Sequence, residues 1–367
     1  MNTSKLIELA QLLIEQDAQC NLQSNLTAVY NAIANLVSSP GQPEFQKQFS
    51  QAYVSLNSSV KDLMSSLTPT QLDLISEIGG GPYFTEEMDK QIVEWNNENS
   101  LTPAVVQQKI AALMTARADY IANLNQLLSG MKKIGLEAGA LQPGQAELGF
   151  LLPRPLFKND FSDLITELDT VKKILNFFAE AMTGSSESIQ VQQISTSDPI
   201  FGLIVNSVTA YGVMKAITWA VSTWKTVEEI RVIRLKTATT KIYTEDELKS
   251  MFDDKIEEIL VKRVTEQVSA IMQDKSPKVV NSNELEVKLT WALNNILYRI
   301  ERGMRVELRF LPLEEQGATD NAAIKTKQMS DELVMMEKTL IFPKITGEPV
   351  LKLPPPLENE KNSTKKK

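Results

Sequence analysis

The chain has 367 residues, 43% hydrophobic and 23% charged, with a formal net charge of -8. This composition supports a globular core and excludes global disorder, and the acidic balance gives no electrostatic footprint for nucleic acid, whose affinity comes mainly from Lys and Arg at phosphates. With no histidine and a single cysteine, Cys20, the chain alone cannot build a Ser-His-Asp or Cys-His site or an intramolecular disulfide, and one thiol plus carboxylates is a poor zinc set.

In chain order, the opening from Met1 to Gln19 reads as an amphipathic helix bearing Glu8, Glu15 and Asp17. It lacks the charged, apolar and small-residue order of a signal peptide. Together with the lone thiol, this gives a cytoplasmic expectation. Leu26, Val29, Ile33 and Leu36 mark a second helix, and Pro40-Gly41 breaks the chain. Phe45, Phe49, Tyr53, Leu56, Val60 and Leu63 recur at three and four, the helical period. Thr68-Pro69 punctuates, and a short helix with Leu72, Ile75 and Ile78 ends at Gly79-Gly80-Gly81-Pro82. The glycine run follows a helix and lacks the Lys-Ser/Thr of a phosphate-binding loop, so it reads as a turn. Thr85-Glu86-Glu87 starts another helix. Thr102-Pro103 opens a longer one with the stripe Val106, Ile110, Met114, Ala118, Ile121, Leu124 and Leu128. Residues 1–134 are therefore expected to form a helical bundle.

Residues 135–158 gather Gly135, Gly139, Gly144, Gly149, Pro143, Pro153 and Pro155. They read as a linker or loop-rich crossover containing a short strand at Leu148 to Leu152, and as the domain boundary. Residues 159–346 have mixed character. Asp160 to Met182 is a predicted helix ended by Gly184. Ser188 to Ile194 alternates as a strand. Met304, Val306, Leu308 and Phe310 alternate with charges as the clearest strand in the chain. Since lone strands are unstable, a small sheet follows, with Thr339 to Ile345 as a further candidate strand. Residues 347–367, with Pro354-Pro355-Pro356 and a terminal lysine run, read as a disordered tail of local polyproline II character.

The most informative stretch is 199–224, which holds one charge, Lys215. Its length fits a membrane span. Tyr211, Lys215, Thr218 and Ser222, however, form a polar stripe, and a bilayer span has no need of one unless it meets other helices or water. On the other side Val213, Ile217, Ala220, Trp224 and Val227 recur at the a/d spacing of a bundle or coiled-coil seam. The helix continues to about 237. A second begins at the capping box Thr244-Glu245-Asp246-Glu247 and carries Leu248, Phe252, Ile256, Leu260, Val264, Val268 and Ile271 to about 273. The two predict a long helical hairpin over about 200–273. A helical bundle, an apolar mid-chain segment and a long hairpin resemble the alpha-helical pore-forming toxins in architecture. In those toxins the apolar segment is a tongue between long helices. Here Ile200 to Trp224 reads as part of a long helix, and no motif assigns the chain to that family.

These features predict a mostly helical α+β protein with an N-terminal bundle and a small-sheet domain carrying the hairpin. The expected function is non-enzymatic, with no cofactor. It is a scaffold, expected to be a homo-oligomer, that binds itself or another protein through the seam Val213, Ile217, Ala220, Trp224 and Val227. The alternative is a membrane-active protein that inserts 199–224.

Overall fold

The computed structural model describes residues 3–136, 139, 141–195, 199–238, 245–312, 321–342, 349 and 351–357. The protein is mostly α with one small antiparallel sheet, and the chain divides into two units, Met1–Ala140 and Leu141–Lys367. The division falls inside the Gly/Pro-rich stretch.

The first unit is a bundle of α1 (Thr3–Cys20), α2 (Leu22–Ser38), α3 (Pro43–Ser66), α4 (Pro69–Glu77), the single turn α5 (Gly81–Phe84), α6 (Glu86–Glu98) and α7 (Pro103–Lys133). The punctuation of the sequence becomes helix caps. Thr68 and Gln71 form a capping box, Thr85 accepts from the Glu87 amide, and prolines occupy the first turns of α3, α4 and α7. Leu13, Leu26, Val29, Leu56, Leu63, Ile75 and Ile110 fill a core of their own. On α7 the buried stripe is Val106, Ile110, Leu113, Arg117 and Leu124. The apolar positions Met114 and Ala118 are displaced by a buried arginine. The Arg117 guanidinium is fully buried, pairs with Asp17, donates to Gln23 Oε1 at 2.6 Å and to the Tyr83 carbonyl at 3.0 Å, and lies over the Phe84 ring. A buried charge needs such a full set of partners.

The second unit contains β1 (Gln145–Leu151), the turn α8 (Arg154–Phe157), α9 (Phe161–Thr183), β2 (Gln190–Ser195), β3 (Ile200–Asn206), α10 (Ser207–Ala238), α11 (Glu245–Gln273), α12 (Ser282–Glu301), β4 (Arg305–Phe310) and α13 (Asn321–Thr339). The sheet order is β2-β3-β1-β4, all antiparallel. The stretch read as linker or crossover thus supplies a central strand. Thr339 closes α13 and is not in a strand. Residues 343–345 of that candidate strand lie outside the described residues.

One sheet face carries Ala146, Leu148, Phe150, Phe201, Val205, Val306 and Leu308 into the core shared with α9, α10 and α12. The other face is mixed, with Ile200 and Ile204 beside the polar groups. There Glu147 accepts from Gln193 Nε2 at 2.8 Å and from Arg309 at 3.4 Å. Gly202 makes room for this: a Cβ there would sit 2.2 Å from Glu147 Oε1. Helices α9 and α12 are tied by a bidentate ion pair, Arg299 to Glu167 at 2.7 and 3.1 Å, with Asn295 Oδ1 accepting from the same guanidinium at 2.6 Å.

Candidate interaction surface

The nearly uncharged stretch 199–224 is not one helix. Ile200–Asn206 is β3, paired along its length with β1, and α10 starts at Ser207. The local chemistry explains the break. Phe201, Leu203 and Val205 alternate toward the core with Ile200, Gly202 and Ile204 on the other face, a strand period hidden in an apolar run. Asn206 Oδ1 then accepts from the Val208 amide at 2.7 Å as an N-cap. Glu187 accepts from the Asn206 amide at 2.5 Å and from Thr209 Oγ1 at 2.7 Å, placing a carboxylate at the positive end of the helix.

The five seam residues are brought together, and they face inward. Val213, Ile217, Ala220 and Val227 are 0% exposed and Trp224 is 1% exposed. They share one core with Ile256, Leu260, Val264, Val268 and Ile271 of α11, so the seam joins the two arms of the hairpin. The arms are antiparallel. Lys215 meets Asp274 at 3.6 Å, and Arg263 donates to Thr223 Oγ1 at 3.4 Å. Ala210, Met214, Ala216 and Val221 are buried as well, and α10 also packs against α9, α12, α13 and the sheet. Enclosed by these neighbours over about its first five turns, α10 is the central helix of the unit. The polar stripe lies where the enclosure is incomplete: Lys215 sits over the Tyr211 ring, and Tyr211 donates to Glu332 Oε2 on α13 at 2.6 Å. Burial first, and then Glu332, raise the Tyr211 phenol, keeping it a donor. Gly212 permits the tight α9 contact, since a Cβ there would meet Met182 Cγ at 2.7 Å.

The hairpin outruns α9 at one end. The α10 start, the α9 end, the α11 end and the α12 start lie together, as shown by Gly212 against Met182, Lys215 with Asp274, the Ser276 amide on the Ala181 carbonyl at 2.8 Å, and Lys288 with Glu180 at 2.9 Å. From that level α9 runs back from Met182 to Phe161, while α10 runs on from Gly212 to Ala238. The extra length is about five residues, or about 8 Å. Here α10 exposes Val232 (43%) and Ile233 (55%), and the same end of α9 exposes Phe161 (74%).

Other groups are already engaged. Glu187 and Asn206 line a cavity of about 250 Å³ with Gly144, Gln145 and Gln190. Its size is below the usual ligand pocket, and its carboxylate is used as a helix cap. Burial first, then Asp62 and Asp17, raise the Cys20 thiol and disfavour the thiolate. Among the described residues no group of three or more Cys, Asp or Glu is placed to hold a metal ion, and no helix is long and apolar enough to cross a membrane. No family model matches the chain, and neither the curated proteins nor the solved structures contain a match to it.

Proposed function

We propose that the protein works by association, as a helical scaffold that self-assembles through the free end of the α10–α11 hairpin. The observation that carries this is the overhang with its exposed aliphatic pair, Val232 and Ile233, at the end of a helix whose other large apolar residues are mostly buried. The seam holds the arm rigid, and the end of the arm presents apolar surface. Contiguous exposed apolar surface marks association sites, and Phe161 of α9 lies exposed at the same end as this pair. The test is light scattering at micromolar concentration on the wild type and on the double variant Val232→Asp, Ile233→Asp. The expected result is an oligomeric wild type and a monomeric variant with unchanged circular dichroism. A monomeric wild type removes the reading.

The second reading is membrane insertion of the apolar stretch, favoured by the single charge, Lys215, that residues 199–224 carry. Insertion would require β3 to leave the sheet and α10 to leave the core. Flotation with liposomes and dye leakage, at acidic and neutral pH, distinguish it from the first reading. No flotation and no leakage discard it.

A further inference from the structure

The described part of the C-terminal segment is docked on α12. The Leu351 amide donates to Glu301 Oε2 at 2.9 Å, Arg302 donates to the Leu351 carbonyl at 2.9 Å, and Trp291 Nε1 donates to the Pro355 carbonyl at 3.1 Å. Trp291, Tyr298 and Arg302 are spaced by seven and four, so they share one face of α12. That face is aromatic: Phe177 of α9 meets Trp291 edge-on at 5.8 Å, and the Arg302 guanidinium lies 3.6 Å from the Tyr298 ring. The burial pattern of Leu351–Leu357 identifies the ligand conformation. Leu351, Pro354 and Leu357 are half-buried, and the four residues between them are exposed. A strand would bury every second residue. A period of three is that of polyproline II, and Pro354-Pro355-Pro356 fixes φ for it while restricting Leu353 to extended backbone. An aromatic groove with an indole N–H aimed at a proline carbonyl is the general chemistry of proline-rich recognition.

We propose that this face of α12 is a binding site for a proline-rich segment in polyproline II conformation. Residues 351–357 are its tethered resident, and a partner segment with the same Leu-x-x-Pro-x-x-Leu spacing is the ligand it takes when the tail leaves. The hydrogen bonds use main-chain groups only, the Leu351 amide and carbonyl and the Pro355 carbonyl, and Leu351 packs against the core, so any chain with that spacing can make them. A tether gives the resident an effective concentration on the order of millimolar. That closes the site to a weaker competitor and also keeps the tail of a second copy engaged at home, which leaves a foreign segment as the open ligand.

The test uses the full chain. In one variant Leu351, Pro354 and Leu357 are each changed to Asp, erasing the inward face of the tail, and a fluorescent peptide of residues 349–357 is titrated by anisotropy. The expected result is saturable binding to this variant and at least tenfold weaker binding to the intact chain. Adding Trp291→Phe to the variant should weaken binding about fivefold, the scale of one lost hydrogen bond. No saturable binding to the erased-tail variant, with circular dichroism unchanged, overturns the proposal. An intact chain that is a dimer by light scattering and becomes a monomer when the tail is erased also overturns it, since the occupant would then be a second copy. As an independent check, Trp291→Phe in the otherwise intact chain should speed hydrogen exchange at the Leu351 amide. Unchanged exchange contradicts the site.

Discussion

Three charged side chains stand where apolar ones would be expected, and each is held by a complete set of partners. Arg117 replaces a stripe residue in the first unit, Arg299 joins α9 to α12, and Glu301 is fully buried beneath the C-terminal segment. Removing one member of a buried pair leaves an uncompensated charge, at a cost of about 3–5 kcal/mol. Glu167→Ala should therefore destabilise the chain by that amount in urea denaturation, while the double change Glu167→Leu, Arg299→Leu should cost much less. A loss below about 1 kcal/mol for the single change would show that Arg299 finds another partner. Glu337 supplies a pH dependence. Burial raises its carboxyl to about 7, against the opposing pull of Lys338 and Arg309. In the unfolded chain a glutamate titrates near about 4.3, so the folded state holds the extra proton between these values. Stability from this group is then present at low pH and lost as pH rises toward 7. Glu337→Gln should raise Tm relative to wild type at pH 8 more than at pH 4.5. A constant difference would contradict the assignment.

At the scale of elements, α10 is the determining feature. Ile217→Ala should cost about 2–5 kcal/mol, because a fully enclosed side chain leaves a cavity. Gly212→Val should cost about 1–3 kcal/mol by forcing Met182 aside. Either variant close to wild type in thermal melts would mean that the enclosure is looser than described. The helices of the first unit were legible from period and punctuation, because prolines open α3, α4 and α7 and threonines cap α4 and α6. The stripes of the two hairpin arms were legible from period, but the first arm was read as starting near residue 200 where α10 starts at Ser207, and the capping threonine read for the second, Thr244, lies outside the described residues. Strand β3 was not. Apolar on both faces, with Ile200 and Ile204 opposite Phe201, Leu203 and Val205, it presents an unbroken apolar run that periodicity alone cannot separate from a helix, and the informative signal was the cap at Asn206. The docked tail was invisible for a different reason: its partners, Trp291 and Arg302, are about fifty to sixty residues away, and a proline run alone reads as solvated chain. The seam residues fall together in the core of the second unit. What their spacing could not say is that α11 of the same chain already covers them.

At the scale of the whole molecule, each unit has its own core and its own buried ion pair. A fragment ending at Ala140 should therefore fold alone, with helical circular dichroism and a cooperative melt. The second unit carries the proposed activity, because the seam of the hairpin is closed while Val232 and Ile233 near its end are exposed. Cys20 is the sole cysteine, so Cys20→Ser gives a clean background for placing one thiol at that end. In this background, Ile233→Cys should form a covalent dimer on mild oxidation at micromolar concentration, while Thr265→Cys on the exposed face of α11 should not. Equal cross-linking at both positions, or none at position 233, would contradict association through the free end of the hairpin.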